Sequence, residues 1–170
     1  SGWGMRTLDS TEVNFNPMSC HNGSIWPHDN AIIAMGLARS GFIAEAIRIL
    51  NGLFDASTLL DLNRLPELFC GFNRLKGQGP TKYLVACAPQ AWASGAIFQL
   101  LQVCLGMSFS AEKPQIRFWN PQLPSYIQRL QITNLRFGDN VIDLAFRKHP
   151  NDVGINVLRK EGEIDVAVFK

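Results

Sequence analysis

The sequence of 170 residues lacks several features that would assign it quickly to a functional class. Lysine and arginine together number 16 and aspartate and glutamate 14, so the net charge is only +2, too small to suggest a nucleic-acid partner. Neither a glycine-rich phosphate loop nor a G-x-S-x-G motif is present. No apolar run approaches the roughly 18 residues that span a membrane. Nucleotide, nucleic-acid and membrane signatures are therefore missing.

The four cysteines have no paired C-x-x-C spacing and do not cluster with histidines, which argues against a zinc or iron–sulfur site. We expect them to be buried thiols in a reducing compartment; they are Cys20, Cys70, Cys87 and Cys104. No secretory leader opens the chain, so we predict a cytoplasmic protein. No cofactor is expected.

Two regions of the chain differ in charge density and in the spacing of their apolar residues. Residues 1–111 carry 14 charged side chains and residues 112–170 carry 16, so charge density roughly doubles along the chain. We predict a boundary at Ala111, with a helical part in 1–111 and a β region in 112–170. Because the chain starts Ser-Gly-Trp-Gly without methionine, we also expect a piece of a longer polypeptide or a processed one.

Three helical patterns occupy the first region. Pro27 suits a first helical turn and Gly41 a helix end. The next helix shows apolar residues at three- and four-residue steps, namely Ile43, Ala46, Ile47, Leu50, Leu53 and Phe54. A third helix is predicted from Pro89 to Gly106. The long connection before it has no period, and such loops are often functional.

In the second region the residue pattern repeats every two positions, as it does in a strand with one buried face. Apolar and polar residues alternate in two stretches that include Ile142, Leu144 and Phe146, and Ile164, Val166 and Val168. The glycine-containing stretches 137–141 and 159–163 have the composition of hairpin turns. An antiparallel β region is predicted.

A carboxylate in an apolar loop is the first candidate for chemistry. Glu67 lies in "LPELFCGF", where burial disfavours the charged form unless a partner compensates. It is either a catalytic group aimed into a cleft or a loop glutamate that caps a helix or pairs with Arg64 or Arg74. The spacing leaves both interpretations open.

Aromatic and polar residues crowd a predicted helix start in "SIWPHDNA". Asp29 favours a helix start on electrostatic grounds alone. His28, and likewise His21, is either a packed ring or a functional one. Trp26 and Trp92 are either core residues or a platform for a sugar ring, and polar neighbours such as Asn22, Ser24 and Gln90 favour the platform.

Several stretches in this order resemble the glycogen-debranching, amylo-α-1,6-glucosidase-like glycosidases. They are "SGWGMRTL", "NPMSCHNGSIWPHDNAIIAMGLARSGF", "LPELFCGF", "PQAWASGAIFQLL" and "FWNPQLPSYIQRLQITNLRFGDN". The resemblance implies a mainly α fold of helical hairpins, part of an (α/α)6 toroid, followed by a small antiparallel β region. It also implies that Glu67 is the general base of an inverting reaction on α-glucosidic oligosaccharides.

The same resemblance assigns the remaining site residues to sugar binding: His21, Trp26, His28, Asp29, Gln90 and Trp92. Inversion requires two carboxyl groups, and the resemblance places the general acid upstream of "SGWG", outside this chain. We therefore expect a homo-oligomer or the remainder of a longer polypeptide to complete the site. Two alternatives remain: a truncated, non-catalytic protein that binds carbohydrate or a subunit, and a domain whose motifs are purely structural.

Overall fold

A computed structural model describes residues 1–110 and 112–170. The described chain divides into two compact units, Ser1–Leu101 and Gln102–Lys170, which we call unit 1 and unit 2. The boundary predicted at Ala111 falls on the residue outside the described part. Among the described residues, no helix combines the length and the apolar character needed to cross a bilayer.

The described residues form three α-helices: α1 (Pro27–Arg39), α2 (Ile43–Thr58) and α3 (Ala91–Cys104). As predicted, α1 begins at Pro27, where the missing N–H needs no partner. It ends at Arg39, and the turn that follows contains Gly41, whose φ of 89° is costly for other residues. In that turn the Phe42 N–H donates to the Leu37 carbonyl over 2.8 Å. Because α2 begins directly afterwards, α1 and α2 form a helical hairpin.

The apolar stripe of α2 packs into the core of unit 1. Its buried residues recur at helical spacing and include Ala46, Ile49, Leu50, Leu53 and Ala56. The irregular N-terminal segment lies against this helix, since Trp3 is buried and a Cβ on Gly52 would meet the Trp3 carbonyl oxygen at 2.6 Å. Only glycine at position 52 permits this close approach.

The segment between α2 and α3 is irregular, as the sequence predicts. It contains a one-turn 3-10 helix, Asp61–Asn63, and two isolated antiparallel bridges, Ile25↔Phe69 and Phe69↔Lys82. Pro66, Pro80 and several glycines prevent a longer helix here, because proline lacks the N–H that a helix interior needs. The helix α3 begins at Ala91, two residues after the predicted start at Pro89.

In the part of the chain that the structure describes, six strands form two sheets: β1 (Met107–Phe109), β2 (Gln115–Trp119), β3 (Arg129–Phe137), β4 (Asn140–Lys148), β5 (Val153–Glu161) and β6 (Asp165–Phe169). One sheet has the order β1-β2-β6 and the other β3-β4-β5. The turn 137–141 joins β3 to β4 as a hairpin, as predicted. The turn 159–163 does not close a hairpin, because β6 leaves β5 and pairs in parallel with β2.

The two sheets of unit 2 share one core. The rings of Phe118 on β2 and Phe146 on β4 meet edge to face, with centroids 5.4 Å apart. The predicted alternation on β4 is present, since Ile142, Leu144 and Phe146 are buried. Ile164 at the entry to β6 is buried as well.

The predicted fold class is wrong. Residues 1–110 and 112–170 contain three α-helices, of which two form a hairpin, and six strands in two small sheets, one of them mixed. A toroid of helical hairpins needs repeated 3.6-residue apolar periods, and three stretches of this sequence have them. The proline- and glycine-containing segments 1–26 and 59–90 cannot supply the others, and from Met107 onward strands predominate.

Candidate functional site

Four rings of unit 1 lie together, and we call them the aromatic cluster: His21, Trp26, His28 and Trp92. His28 and Trp92 stack face to face, with centroids 4.2 Å apart and planes inclined by 10°. Trp26 meets His28 and Trp92 edge to face at 5.9 and 6.3 Å. His21 lies nearly parallel to Trp26 at 6.1 Å. The cluster joins the start of α1 to the start of α3.

Backbone pairing positions the first half of the cluster. Ile25 and Phe69 exchange two hydrogen bonds of 2.9 and 3.1 Å and are both fully buried. The Trp26 indole N–H donates to the Cys20 carbonyl over 2.9 Å and to Ser24 Oγ over 3.0 Å. The Trp26 donor is thus used internally. Trp26 can offer a ligand its ring but not its N–H.

A buried asparagine fixes the start of α1, and sequence reasoning missed it. The Asn30 side chain accepts from the Met5 N–H over 2.7 Å and donates to the carbonyls of Met5 and Trp26. Asn30 is only 1% exposed, so losing these bonds would leave buried polar groups unpaired. An asparagine on the apolar side of a helix's first turn is the signal that indicates such a role.

His28 has one nitrogen bound and one free. Its Nε2 lies 3.1 Å from Asp29 Oδ1, and this pair is partly exposed. Because Nε2–H donates to the carboxylate in the neutral ring, Nδ1 is the acceptor nitrogen. Nδ1 is buried and has no hydrogen-bond partner among the described residues. Since most buried polar atoms are paired, this nitrogen is an exception that needs an explanation.

Glu67 is half-buried and bound to the backbone of the segment before α3. Its N–H donates to the Cys87 carbonyl over 2.9 Å, and its Oε2 accepts from the Cys87 N–H over 3.2 Å. No ion pair joins it to Arg64 or Arg74 within the described chain, and Arg74 instead pairs with Asp55 at 2.7 Å. Neither alternative partner of Glu67 is therefore used, and Oε1 accepts no hydrogen bond from any residue that the structure describes.

The last predicted site residue, Gln90, lies at the start of α3. Its Oε1 accepts from the Ala91 N–H over 3.0 Å, and its carbonyl accepts from the Ser94 N–H over 3.0 Å. Gln90 therefore stabilises the first turn of α3, the turn that carries Trp92. No hydrogen bond of the described residues joins Gln90 or Glu67 to a ring of the aromatic cluster.

The structure brings the predicted residues together in two groups. The aromatic cluster with Asp29 is one group, and Glu67 with the segment before α3 is the other. Two links connect the groups. Phe69, two residues after Glu67, forms a bridge with Ile25, which precedes Trp26. Cys87, which binds Glu67, lies five residues before Trp92 in the sequence. The arrangement offers aromatic faces, one acceptor nitrogen and two carboxylates.

The cysteines offer no metal site. Among the described residues, no group of three His, Cys, Asp or Glu side chains is placed to hold a metal ion, and all four cysteines are free. Burial raises the pKa of the Cys70 thiol and raises that of Cys104 to about 12, so both stay protonated. The expectation of four buried thiols is wrong for Cys87, which is exposed, and Cys20 is only partly covered.

A second aromatic stack, which sequence reasoning missed, lies in unit 2. Trp119 and Phe169 are partners in the parallel register of β2 and β6, and their rings lie 4.1 Å apart with planes inclined by 12°. Both are exposed, Trp119 by 55%. The sequence signal for this pair is an aromatic residue at the end of each of two stretches in which polar and apolar residues alternate.

Neither any protein-family model nor any curated protein matches the chain.

Proposed function

We propose that the chain binds α-glucosidic oligosaccharides as part of a glycoside hydrolase, for which it provides the sugar-binding surface and the general base. The observation that carries the proposal is the stack of His28 on Trp92, beside an imidazole nitrogen without a hydrogen-bond partner. The resemblance of the surrounding motifs to amylo-α-1,6-glucosidase-like enzymes supports the substrate class.

The aromatic cluster has the groups that a sugar ring requires. Trp92 is 47% exposed although His28 covers part of it, so indole surface remains for the C–H face of a pyranose. Binding that uncovers His28 Nδ1 lets a sugar hydroxyl donate to it, which ends the isolation of that buried atom. Asp29 Oδ2 is free to accept from a second hydroxyl, since Oδ1 holds the imidazole. Apolar faces with a few fixed polar groups are typical of ligand sites.

Glu67 serves as the base in this proposal. Its bond to the Cys87 N–H fixes Oε2, and Oε1 is left to take a proton from the attacking water. Inversion needs a second carboxyl group roughly 6.5–9.5 Å away. Asp29 is already bound to His28, so the acid comes from another part of a longer polypeptide or from a second copy.

A second candidate function is carbohydrate binding without catalysis. The pairing of Asp29 with His28 favours it, because that pairing withdraws the one carboxylate of the aromatic cluster from acid catalysis. The two functions share the sugar-binding surface and differ in the role of Glu67. We place both in the cytoplasm, for which the four free cysteines are the support.

The binding test compares two exposed tryptophans. Titration calorimetry with maltotriose should show that Trp92→Ala weakens binding by about tenfold or more, which corresponds to roughly 1.4 kcal/mol. Trp119→Ala, which removes a similarly exposed and similarly stacked indole from unit 2, should change affinity by less than about twofold. Equal losses in both variants, or none in Trp92→Ala, would contradict the proposal.

A further variant separates recognition from packing at His28. His28→Phe keeps a flat ring against Trp92 but removes Nδ1, so we expect maltotriose affinity to fall about three- to tenfold, the effect of one neutral hydrogen bond. Stability should change little, because the hydrogen bond lost with Asp29 is partly exposed. Unchanged affinity with a large loss of stability would mean that His28 is only a packed ring.

A further inference from the structure

A cavity in unit 1 is lined by residues of the segments 60–66 and 82–89, and none of the four rings of the aromatic cluster lines it. It has a volume of about 300 Å³, in the range of small-molecule sites. Its walls are mostly apolar, with Leu60, Leu62, Pro66 and Pro89 among them. Such walls suit a compact body without many hydroxyl groups.

Three charged side chains line the same cavity. Lys82 Nζ lies 2.7 Å from Asp61 Oδ2, so these two charges compensate each other. Lys82, by hydrogen bond and charge, lowers the pKa of the Asp61 carboxyl, which therefore stays ionised at neutral pH. The Arg64 guanidinium makes no ion pair or side-chain hydrogen bond with any described residue. The lining thus carries one uncompensated positive charge.

We propose that this cavity binds a small monocarboxylate with a compact apolar body, whose carboxylate is held by Arg64. The planar guanidinium matches a carboxylate with two parallel hydrogen bonds. Tyr83, also in the lining, provides a hydroxyl that can donate to the same carboxylate. The proposal does not depend on sugar binding by the aromatic cluster.

The charge of the lining selects among anions. A monocarboxylate balances the net charge of +1, whereas a phosphate dianion would leave one negative charge beside Asp61. A neutral sugar would gain nothing from Arg64 and would place its hydroxyls against leucine and proline walls. A monocarboxylate with an apolar body is the class that satisfies both the charge and the walls.

The test uses benzoate and its neutral isostere benzamide as probes in NMR titrations of the full chain. We expect benzoate to bind at least about tenfold more tightly than benzamide. Arg64→Gln should remove this preference, whereas Arg48→Gln, an exposed arginine on α2, should keep it. Asp61→Asn should strengthen benzoate binding about threefold, because it removes a like charge. An opposite change there contradicts the proposed charge balance.

Further probes separate this proposal from its competitors. Tighter binding of inorganic phosphate or of glucuronate than of benzoate would overturn the ligand class. Equal binding of benzoate and benzamide, or equal losses in the two arginine variants, would overturn the site. Maltotriose affinity should be unchanged in Arg64→Gln, so failure here and failure of the sugar site are distinguished.

Discussion

Two aromatic stacks of nearly identical geometry lie in the two units. His28 and Trp92 stack at 4.2 Å with a 10° tilt, and Trp119 and Phe169 stack at 4.1 Å with a 12° tilt. The second pair follows directly from the parallel register of β2 and β6. The first pair joins residues more than sixty positions apart, at the starts of two helices. Ring geometry alone therefore says little about function.

The surroundings of the two stacks differ in their polar groups. His28 has a buried nitrogen without a partner and a carboxylate beside it, and the start of its helix is held by the buried side chain of Asn30. The Trp119–Phe169 pair lies at the ends of two neighbouring strands that pair with each other in parallel. A fixed ring beside unsatisfied polar groups indicates binding, whereas a ring pair set by strand register indicates packing.

The largest expected effect contrasts the Glu67 carboxylate with a carboxylate that has no proposed role in chemistry. With an aryl α-glucoside whose leaving group needs little protonation, Glu67→Gln should lower the hydrolysis rate about 10²–10⁴-fold, the usual value of general base assistance. Glu45→Gln, on the exposed first turn of α2, should leave the rate unchanged. The measurement is release of the aryl alcohol at saturating substrate.

Azide sharpens the same experiment. In Glu67→Ala, azide should restore release of the aryl alcohol. An attacking water must give up a proton to a base, whereas the azide anion attacks without one. A Glu67→Gln variant that keeps more than about a tenth of the rate would remove Glu67 from the mechanism. Failure of the unaltered chain to hydrolyse the aryl glucoside at all would favour the purely binding function.

Next in size is the loss of stability at two crowded glycines, one in each unit. A Cβ at Gly71 would collide with the Gly23 carbonyl, and a Cβ at Gly106, where φ is +56°, would collide with the Trp119 carbonyl. Each alanine substitution should cost about 3 kcal/mol. Urea denaturation measures the loss, and hydrogen exchange locates it.

The two variants should differ in function. Gly71→Ala disturbs the loops that hold the aromatic cluster, because the Gly71 N–H and carbonyl bind Pro17 and Arg6. We expect it to abolish maltotriose binding, whereas Gly106→Ala should preserve binding and increase exchange in β1 and β2. The reverse pattern would place the sugar surface in unit 2.

The smallest expected effect is the acid sensitivity of unit 2. Arg159 and the Asn134 N–H bind the Asp143 carboxylate and lower its pKa. A carboxyl group with a lowered folded-state pKa contributes stability that is complete above its unfolded value, about 3.9, and that is lost as the pH falls further. Asp143→Asn should therefore lower the urea midpoint at pH 7. The difference in midpoint between this variant and the unaltered chain should be smaller near pH 3. A gap that widens at low pH would contradict this.

Local signals in the sequence predicted the local structure. Pro27 and Gly41 mark the ends of α1 because each acts through its own backbone. The alternation around Leu144 predicts a half-buried strand because one face of β4 meets the core. The pairing of β6 with β2 instead of β5 was not predictable, since turn composition says nothing about which distant edge a strand joins.

The candidate site divides in the same way. Trp26, His28 and Trp92 are predictable as a group, because each lies at a helix start rich in polar residues. The bond of Glu67 to the Cys87 backbone and the bond of Asn30 to the Met5 backbone join residues that are twenty or more positions apart. The prediction of a toroid was wrong for a related reason. Short motifs indicate local chemistry, but they do not show whether the chain has the further helices that a closed ring requires.

The most direct test of the account is an NMR titration with maltotriose that follows the four indole N–H signals of the chain. They belong to Trp3, Trp26, Trp92 and Trp119. We predict that Trp26 and Trp92 shift in a saturable manner, while Trp3 and Trp119 do not move. Saturable shifts of Trp119 without shifts of Trp26 and Trp92 would contradict the assignment of sugar binding to the aromatic cluster.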